Sequence, residues 1–414
     1  MTTVATPAEL EQLDATDPLA PVRERFTLPD GVIYLDGNSL GALPRATAER
    51  LSQVVHAEWG RDLITSWNAN GWFTAPQRVG GKIAALVGAA PHEVLVADST
   101  SVNLFKAIVA ALALRPGRRT VLSEPGNFPT DLYMIESALR TLGAGYRLHL
   151  VERTALADAM DDDTALVLLT HVHYKTAEQF DMAAITQAAH RVGALTCWDL
   201  SHSAGAVPVD LRAATADFAV GCGYKYLNGG PGAPAFLFVA ERHQDAAQSP
   251  LGGWMGHAQP FAFDDAYAPA PGITRFACGT PPILSLAALE CGVDELLAVD
   301  RAALFAKGRS LVALFAERVL AGTAADGVSL VGPPPDHPRG SHVSFAHAHA
   351  YEIVQALIAR GVIGDFRAPD VMRFGITPLY LGWGDVARAA DAVVEVVLSG
   401  AWRDPRFAAR QAVT

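Results

Sequence analysis

The sequence is poor in cysteine, in positive charge and in long apolar runs, and each shortage excludes something. Its four cysteines, Cys197, Cys222, Cys278 and Cys291, sit in apolar surroundings without metal-type spacing. Neither a disulfide scaffold nor a cysteine-ligated metal is expected, and buried, reduced thiols of a cytosolic protein are. A net charge of −11, from 43 acidic and 32 basic residues, argues against a nucleic-acid binder. No apolar stretch is long enough to span a bilayer, so no membrane partner is expected. The opening "MTTVATPAELEQLDATDPLAPVRERF" has no basic region followed by an apolar one, so no secretory signal is expected and a cytoplasmic location is. Internal repeats and low-complexity linkers are also missing.

Half of the 414 residues are apolar, enough for a substantial core but too long a chain for a single one. The expected division is an N-terminal segment, residues 1–45, packing with a small C-terminal domain, residues 296–414, and a large domain over residues 46–295. In the N-terminal segment a short strand enters "GVIYLDGNSLGALP", where Asp36, Gly37, Asn38 and Gly41 mark a tight polar turn. "EVLVADSTSVNLFKAIVAALAL" passes from a strand through a Ser/Thr-rich turn into an amphipathic helix. Three apolar runs follow, "TALVLLTHVHY", "GALTCWDLSHS" and "DFAVGCGYKYL", each beginning with buried-strand residues and ending in polar ones. In an open parallel sheet with helices on its faces, ligands bind at the carboxyl ends of the strands. Thr170, Asp199, His202, Tyr224 and Lys225 should therefore converge on one crevice, together with Thr100 and Ser101 from the earlier turn.

Lys225 raises the sharpest question, because a lysine at the end of an apolar run needs a partner or a task. An amine snorkelling to water explains it as well on position alone. The neighbouring residue types favour a task. Pyridoxal phosphate needs a lysine for a Schiff base, a carboxylate to keep its pyridine nitrogen protonated, and donors for its phosphate. Asp199 closes the strand before the lysine's, and "DSTSVN" at a helix start offers amides and hydroxyls to a phosphate. "NFPTD" supplies Phe128, whose flat face could stack on the ring, and Asp131.

With "YLDGNSLG", "SVNLF", "NFPTD", "WDLSHSAGAVPVDL", "GYKYLNGGPG", "GGWMGH", "GTPPIL" and "VMRFGITPLY", the chain resembles the kynureninase family through most of its length. These are fold-type I pyridoxal-phosphate enzymes related to cysteine desulfurases and class V aminotransferases. The resemblance implies an α/β fold with a mostly parallel central sheet and flanking helices, plus a smaller α+β domain. It implies Lys225 as the Schiff-base lysine, Asp199 at the pyridine nitrogen, Phe128 on the ring, and Asp131, Thr170 and His202 as further cofactor contacts. Thr100, Ser101 and Tyr224 would hold the phosphate, with Trp254 and Thr280 arriving from the partner subunit of a homodimer. Arg373 would bind the substrate's α-carboxylate, Ser39 would border the substrate, and Tyr224 would be a catalytic proton donor. The implied reaction is hydrolysis of L-kynurenine to anthranilate and L-alanine, in tryptophan catabolism. Some relatives carry Asn at the position of Thr280 to contact a ring-hydroxylated substrate, and threonine leaves room for plain kynurenine.

Other readings stay open. Trp67, in "EWGRDLITSWNANGW", is a candidate lining of the substrate's aromatic pocket, with core or dimer-interface packing an equal reading. The histidines of "HVH" and "AHAHA" alternate like metal ligands, but no acidic or cysteine partner sits nearby, so no metal is expected. A desulfurase or lyase would want a nucleophilic cysteine on a mobile loop, and Cys278 in "RFACGTPP" comes closest. An inactive cofactor-binding scaffold is the remaining alternative.

Overall fold

The computed structural model describes residues 6–411. The chain forms two compact units, one of Thr47–Tyr174 and Phe180–Asp294, the other of Met1–Ala46, Lys175–Gln179 and Glu295–Thr414.

The first of these is built on a seven-stranded sheet. Its order is Val94–Val96, Phe236–Val239, Phe218–Gly221, Leu195–Asp199, Thr164–Thr170, Thr120–Ser123 and Arg147–Leu150. The last five run parallel to one another, and Phe236–Val239 is antiparallel to both its neighbours. Every residue of Thr164–Thr170, Leu195–Asp199 and Phe218–Gly221 is buried, as continuous apolar runs covered on both faces require. The helix Thr100–Ala113 presents Leu104, Ala107, Ile108 and Ala111 to the core, a helical stripe that meets Ile135, Ala138 and Leu139 of the helix Pro129–Leu142. Fully buried Leu or Ile side chains of this kind contribute roughly 1.5–3 kcal/mol each. This packing sets the strand ends in place.

The other unit carries a four-stranded antiparallel sheet, ordered Ser329–Val331, His342–Ala346, Val371–Gly375 and Asp365–Arg367. Phe315, from the helix Arg301–Thr323, lies 6.1 Å from Phe345 and 5.1 Å from Phe374 between ring centroids and anchors that helix on the sheet. The short strand Ile33–Tyr34 pairs in parallel with Val362–Ile363, and the polar turn after it is held against the sheet by a bridge from Asp36 to Gly375. Gly37 is required in that turn, because a Cβ there would meet Thr377 Oγ1 at 2.4 Å. Among the described residues no helix is long and apolar enough to cross a membrane.

One expectation fails in part. Cys197 and Cys222 are buried, but Cys278 and Cys291 are half-exposed, because the segments that carry them lie at the surface of the unit and not in its sheet. All four are free thiols.

Candidate active site

Lys225 sits in a loop built on close backbone approach. A Cβ on Gly223 would fall 2.4 Å from Pro234 O, so only glycine lets this loop fold back on the chain that follows it. Asn228, at φ +53°, turns the chain so that its N–H donates to Lys225 O and Gly229 N–H donates to Gly223 O, both at 2.9 Å. The result holds Lys225 Nζ 2.9 Å from His202 Nε2, and 5.8 Å from the ring centroids of both Phe128 and Tyr224. Among the described residues two lysines are buried, Lys106 and Lys307, and both are committed elsewhere; Lys307 Nζ donates to Pro378 O at 2.8 Å and pairs with Asp17 at 2.7 Å. Lys106 Nζ is committed to Asp98 and to Phe276 O, the latter at 2.7 Å, in a wholly enclosed position.

Below the lysine lie two buried carboxyls. Asp199, at the end of its strand, accepts from Ser201 N–H at 2.6 Å, and Asp131 accepts from Thr170 Oγ1 at 3.3 Å. Burial raises both pKa values, and the charge of Asp199 raises that of Asp131 further. Lys225 is the cation acting on both. Two adjacent buried carboxyls resist ionising together, and the rise falls harder on Asp131, which the charge of Asp199 pushes up as well as burial. A residue without an assigned role in the sequence reading, Asn127, ties the floor together. Its Oδ1 accepts from Thr170 Oγ1 and, at 2.7 Å, from Phe128 N–H, and its Nδ2 donates to Ser123 Oγ at 3.1 Å. Its position beside "FPTD" was the available signal.

Thr100 and Ser101 occupy the first turn of their helix, which Ser99 caps by accepting from Val102 N–H at 3.4 Å. A cavity of about 530 Å³ opens at this helix start, lined by Asp98, Ser99, Tyr224, Cys278 and Thr280 among others. N–H groups of the helix's first turn and the positive end of its dipole would suit an anion there. Burial, then the neighbouring Cys222 and Asp199, raise the Tyr224 phenol, which stays protonated at neutral pH. Thr280 is exposed at the rim of this cavity. Trp254 and Trp67 belong elsewhere in the unit. They form an aromatic cluster, Trp67 lying 6.0 Å from Trp72 and 6.2 Å from Trp254 between centroids. Arg373 and Ser39 belong to the other compact unit, where Arg373 is buried against Asp365 and Ser39.

The "HVH" histidines have ordinary partners. His171 Nδ1 lies 2.9 Å from Ser203 Oγ and His173 Nε2 lies 2.8 Å from Gly126 O. Burial holds His171 down at about 4. The unfolded imidazole takes its proton near 6.5, so on acidification the unfolded chain binds the proton first and stability falls. The fall begins below about pH 6.5 and reaches about 3 kcal/mol by about pH 4. Urea unfolding across that range should show it, and His171→Gln should remove that share of the slope.

Comparison with known proteins separates the candidate chemistries. A family model described as the kynureninase C-terminal domain matches residues 304–393. A kynureninase of Burkholderia mallei is 52% identical over 407 residues, covering 97% of this chain and 98% of the relative. The chain belongs to the kynureninase family. A kynureninase of Pseudomonas fluorescens is 50% identical over the same length and coverage. Solved structures share the fold at much lower identity. An apo cysteine desulfurase from Thermococcus onnurineus superposes with a TM-score of 0.77 at 19% identity, covering 92% of this chain and 98% of the other. A C-DES variant with glycine covalently linked to its pyridoxal-phosphate cofactor gives 0.78 at 16% identity, covering 90% and 99%. The fold is therefore that of fold-type I pyridoxal-phosphate enzymes, and membership of the kynureninase family sets aside the desulfurase reading that the half-exposed Cys278 had left open.

Proposed function

We propose that this chain hydrolyses L-kynurenine to anthranilate and L-alanine with pyridoxal 5′-phosphate as cofactor, and that the residues gathered around Lys225 perform the reaction. The observation that carries the assignment of residues is the gathering of Lys225 near the ring of Phe128 and of the buried carboxyls Asp199, at the end of its strand, and Asp131, in the first turn of the helix Pro129–Leu142. The donor set fits this cofactor. Asp199 is a buried carboxylate whose nearest cation is Lys225, and a protonated ring nitrogen supplies a donor and the missing counter-charge.

When bound, the cofactor withdraws electrons from the substrate's α-carbon and so makes its proton removable. Lys225 Nζ would be the amine that holds the cofactor and, as a free amine, would take that proton. His202 Nε2, 2.9 Å away, orients it. Asp199 would keep the ring nitrogen protonated, with the carboxyl of Asp131 beside it. Phe128 offers its half-exposed face to the ring. Thr100 and Ser101 would hold the phosphate at the helix start, and Tyr224, retaining its phenolic proton, would bind there and deliver a proton to the β-carbon that becomes alanine's methyl group once anthranilate has left. Thr170 would hold the cofactor through the network of Asn127.

The protein works as a homodimer in this reading, with Trp254 and Thr280 meeting the cofactor of the partner. Their exposure and the exposed aromatics Phe261 and Phe263 beside Trp254 support it. Four free cysteines accord with a cytoplasmic location, where the reaction would serve tryptophan catabolism and NAD biosynthesis. Trp67 would line the substrate's aromatic pocket from the cluster it forms with Trp72 and Trp254.

Arg373 would clamp the substrate's α-carboxylate and Ser39 would border it. Arg373→Lys keeps the charge but loses the planar two-point fork, so KM for L-kynurenine should rise at least about tenfold with cofactor binding retained. Steady-state kinetics check this. An unchanged KM would mean that another residue holds the carboxylate.

The whole assignment is tested by following fluorescent anthranilate release from L-kynurenine and from its 3-hydroxy derivative.

A further inference from the structure

Lys106 is a fully enclosed cation that none of the steps above uses. It lies in the second turn of the helix Thr100–Ala113, whose first turn carries Thr100 and Ser101. Helical side chains lean toward the N-terminus, so the lysine stem runs back along the helix and brings Nζ to the turn that precedes it. There Nζ pairs with Asp98 and donates to Phe276 O at 2.7 Å. Phe276 ends the short helix Gly272–Phe276, and the residues after it, Ala277 to Thr280, wall the cavity at the helix start. The second bond fixes the ammonium where it meets Asp98.

Asp98 is an adverse neighbour for a phosphate. It lines the same cavity, its side chain is partly exposed, and it directly precedes Ser99, the cap of the phosphate-binding helix. A carboxylate at a helix start is favoured by the dipole and by the N–H groups of the first turn. Asp98 is thus a built-in rival for those groups, and its charge repels a phosphate. The backbone keeps it in place. Its φ is +50°, Ala235 N–H donates to its carbonyl oxygen at 2.9 Å, and Asn103 Nδ2 donates to Ala97 O at 2.8 Å. The carboxylate therefore stays at the cavity, and the cation it is paired with decides its effect.

We propose that Lys106 is a positioning residue for the cofactor's phosphate: it neutralises Asp98 and holds that carboxylate back from the helix N–H groups that the phosphate takes. The inference rests on the phosphate role assigned to Thr100 and Ser101. Without the ammonium, the Asp98 carboxylate competes with the phosphate for the helix start and opposes its charge.

The test is the affinity of the full-length apoenzyme for pyridoxal 5′-phosphate and, separately, for pyridoxal, which lacks the phosphate, both read by absorbance. Lys106→Met keeps the length of the stem and removes the charge. Its Kd for pyridoxal 5′-phosphate should rise at least about tenfold, while its Kd for pyridoxal should change by less than about twofold. Adding Asp98→Asn to Lys106→Met should restore most of the lost affinity. The rival carboxylate is then gone, and asparagine accepts the left-handed backbone as readily as aspartate. If Lys106→Met does not fold, Lys106→Gln, which keeps a donor without the charge, carries the same expectation. Equal losses with both ligands, or no loss with either, would overturn the inference, and so would a double variant no better than Lys106→Met. Thr100→Ala combined with Ser101→Ala separates the two levels. If that pair leaves both affinities unchanged, the phosphate assignment itself fails; if it weakens pyridoxal 5′-phosphate selectively while the Lys106 variants do not, only the role of Lys106 fails.

Discussion

Lys225→Ala is expected to release no anthranilate from L-kynurenine and to lose the visible absorbance of the lysine-linked cofactor, while folding normally. The loss of rate should reach the limit of detection, because one amine serves both as the attachment point and as the base at the substrate's α-carbon. The buried lysines Lys106 and Lys307 are committed to other partners, which favours Lys225. Lys106 is enclosed and committed to Asp98 and Phe276 O, whereas Lys225 Nζ lies against the imidazole of His202, beside the rings of Phe128 and Tyr224. Retention of fold follows from the loop's own restraints, which run through the backbone of Gly223, Asn228 and Gly229 and not through the Lys225 side chain. Circular dichroism and the melting temperature check that point. Repeated turnover by the variant without added amine would sink the assignment.

Asp199→Asn should bind cofactor but slow turnover by about 100-fold or more, a barrier increase of roughly 3 kcal/mol, comparable to removing a strong preorganised electrostatic contact. The amide can still donate or accept a hydrogen bond but cannot hold a proton on the ring nitrogen. Asp131→Asn provides the internal comparison. Because burial and the charge of Asp199 keep Asp131 protonated, an amide at 131 imitates its working state, and its cost should be smaller. Single-turnover kinetics on both variants, with cofactor occupancy measured by absorbance, distinguish the two. Equal losses would mean that the charge is shared between them and not carried by Asp199.

Much of this arrangement was legible along the chain because its cause is local. An apolar run ending in polar residues is a strand whose last side chains leave the core, and three such runs separated by helix-forming segments place those ends on one edge of a parallel sheet. Lys225, Asp199, Thr170 and His202 could be grouped on that ground alone. The start of the helix Thr100–Ala113 was equally local, since a hydroxyl cap followed by an apolar stripe at helical spacing identifies it.

The rest depended on contacts between residues far apart in sequence. Asn127 meets Thr170 across 43 positions, and the partner that commits Lys106 includes a carbonyl 170 positions away. The exposure of Cys278 and Cys291 depends on what the surrounding segments cover, which their own apolar neighbours do not reveal. The clearest case is the pairing of Asp365 with Arg373. Their opposition is a matter of strand register, and the seating of the Asp36 turn beside that strand depends on its bridge to Gly375, far along the chain. The sequence by itself determined the residue types, the strand ends and the helix start, because short-range sterics and burial act on neighbours. Only the tertiary structure decided which charged groups meet one another, because their interaction depends on distance in space, and that distance is set by packing.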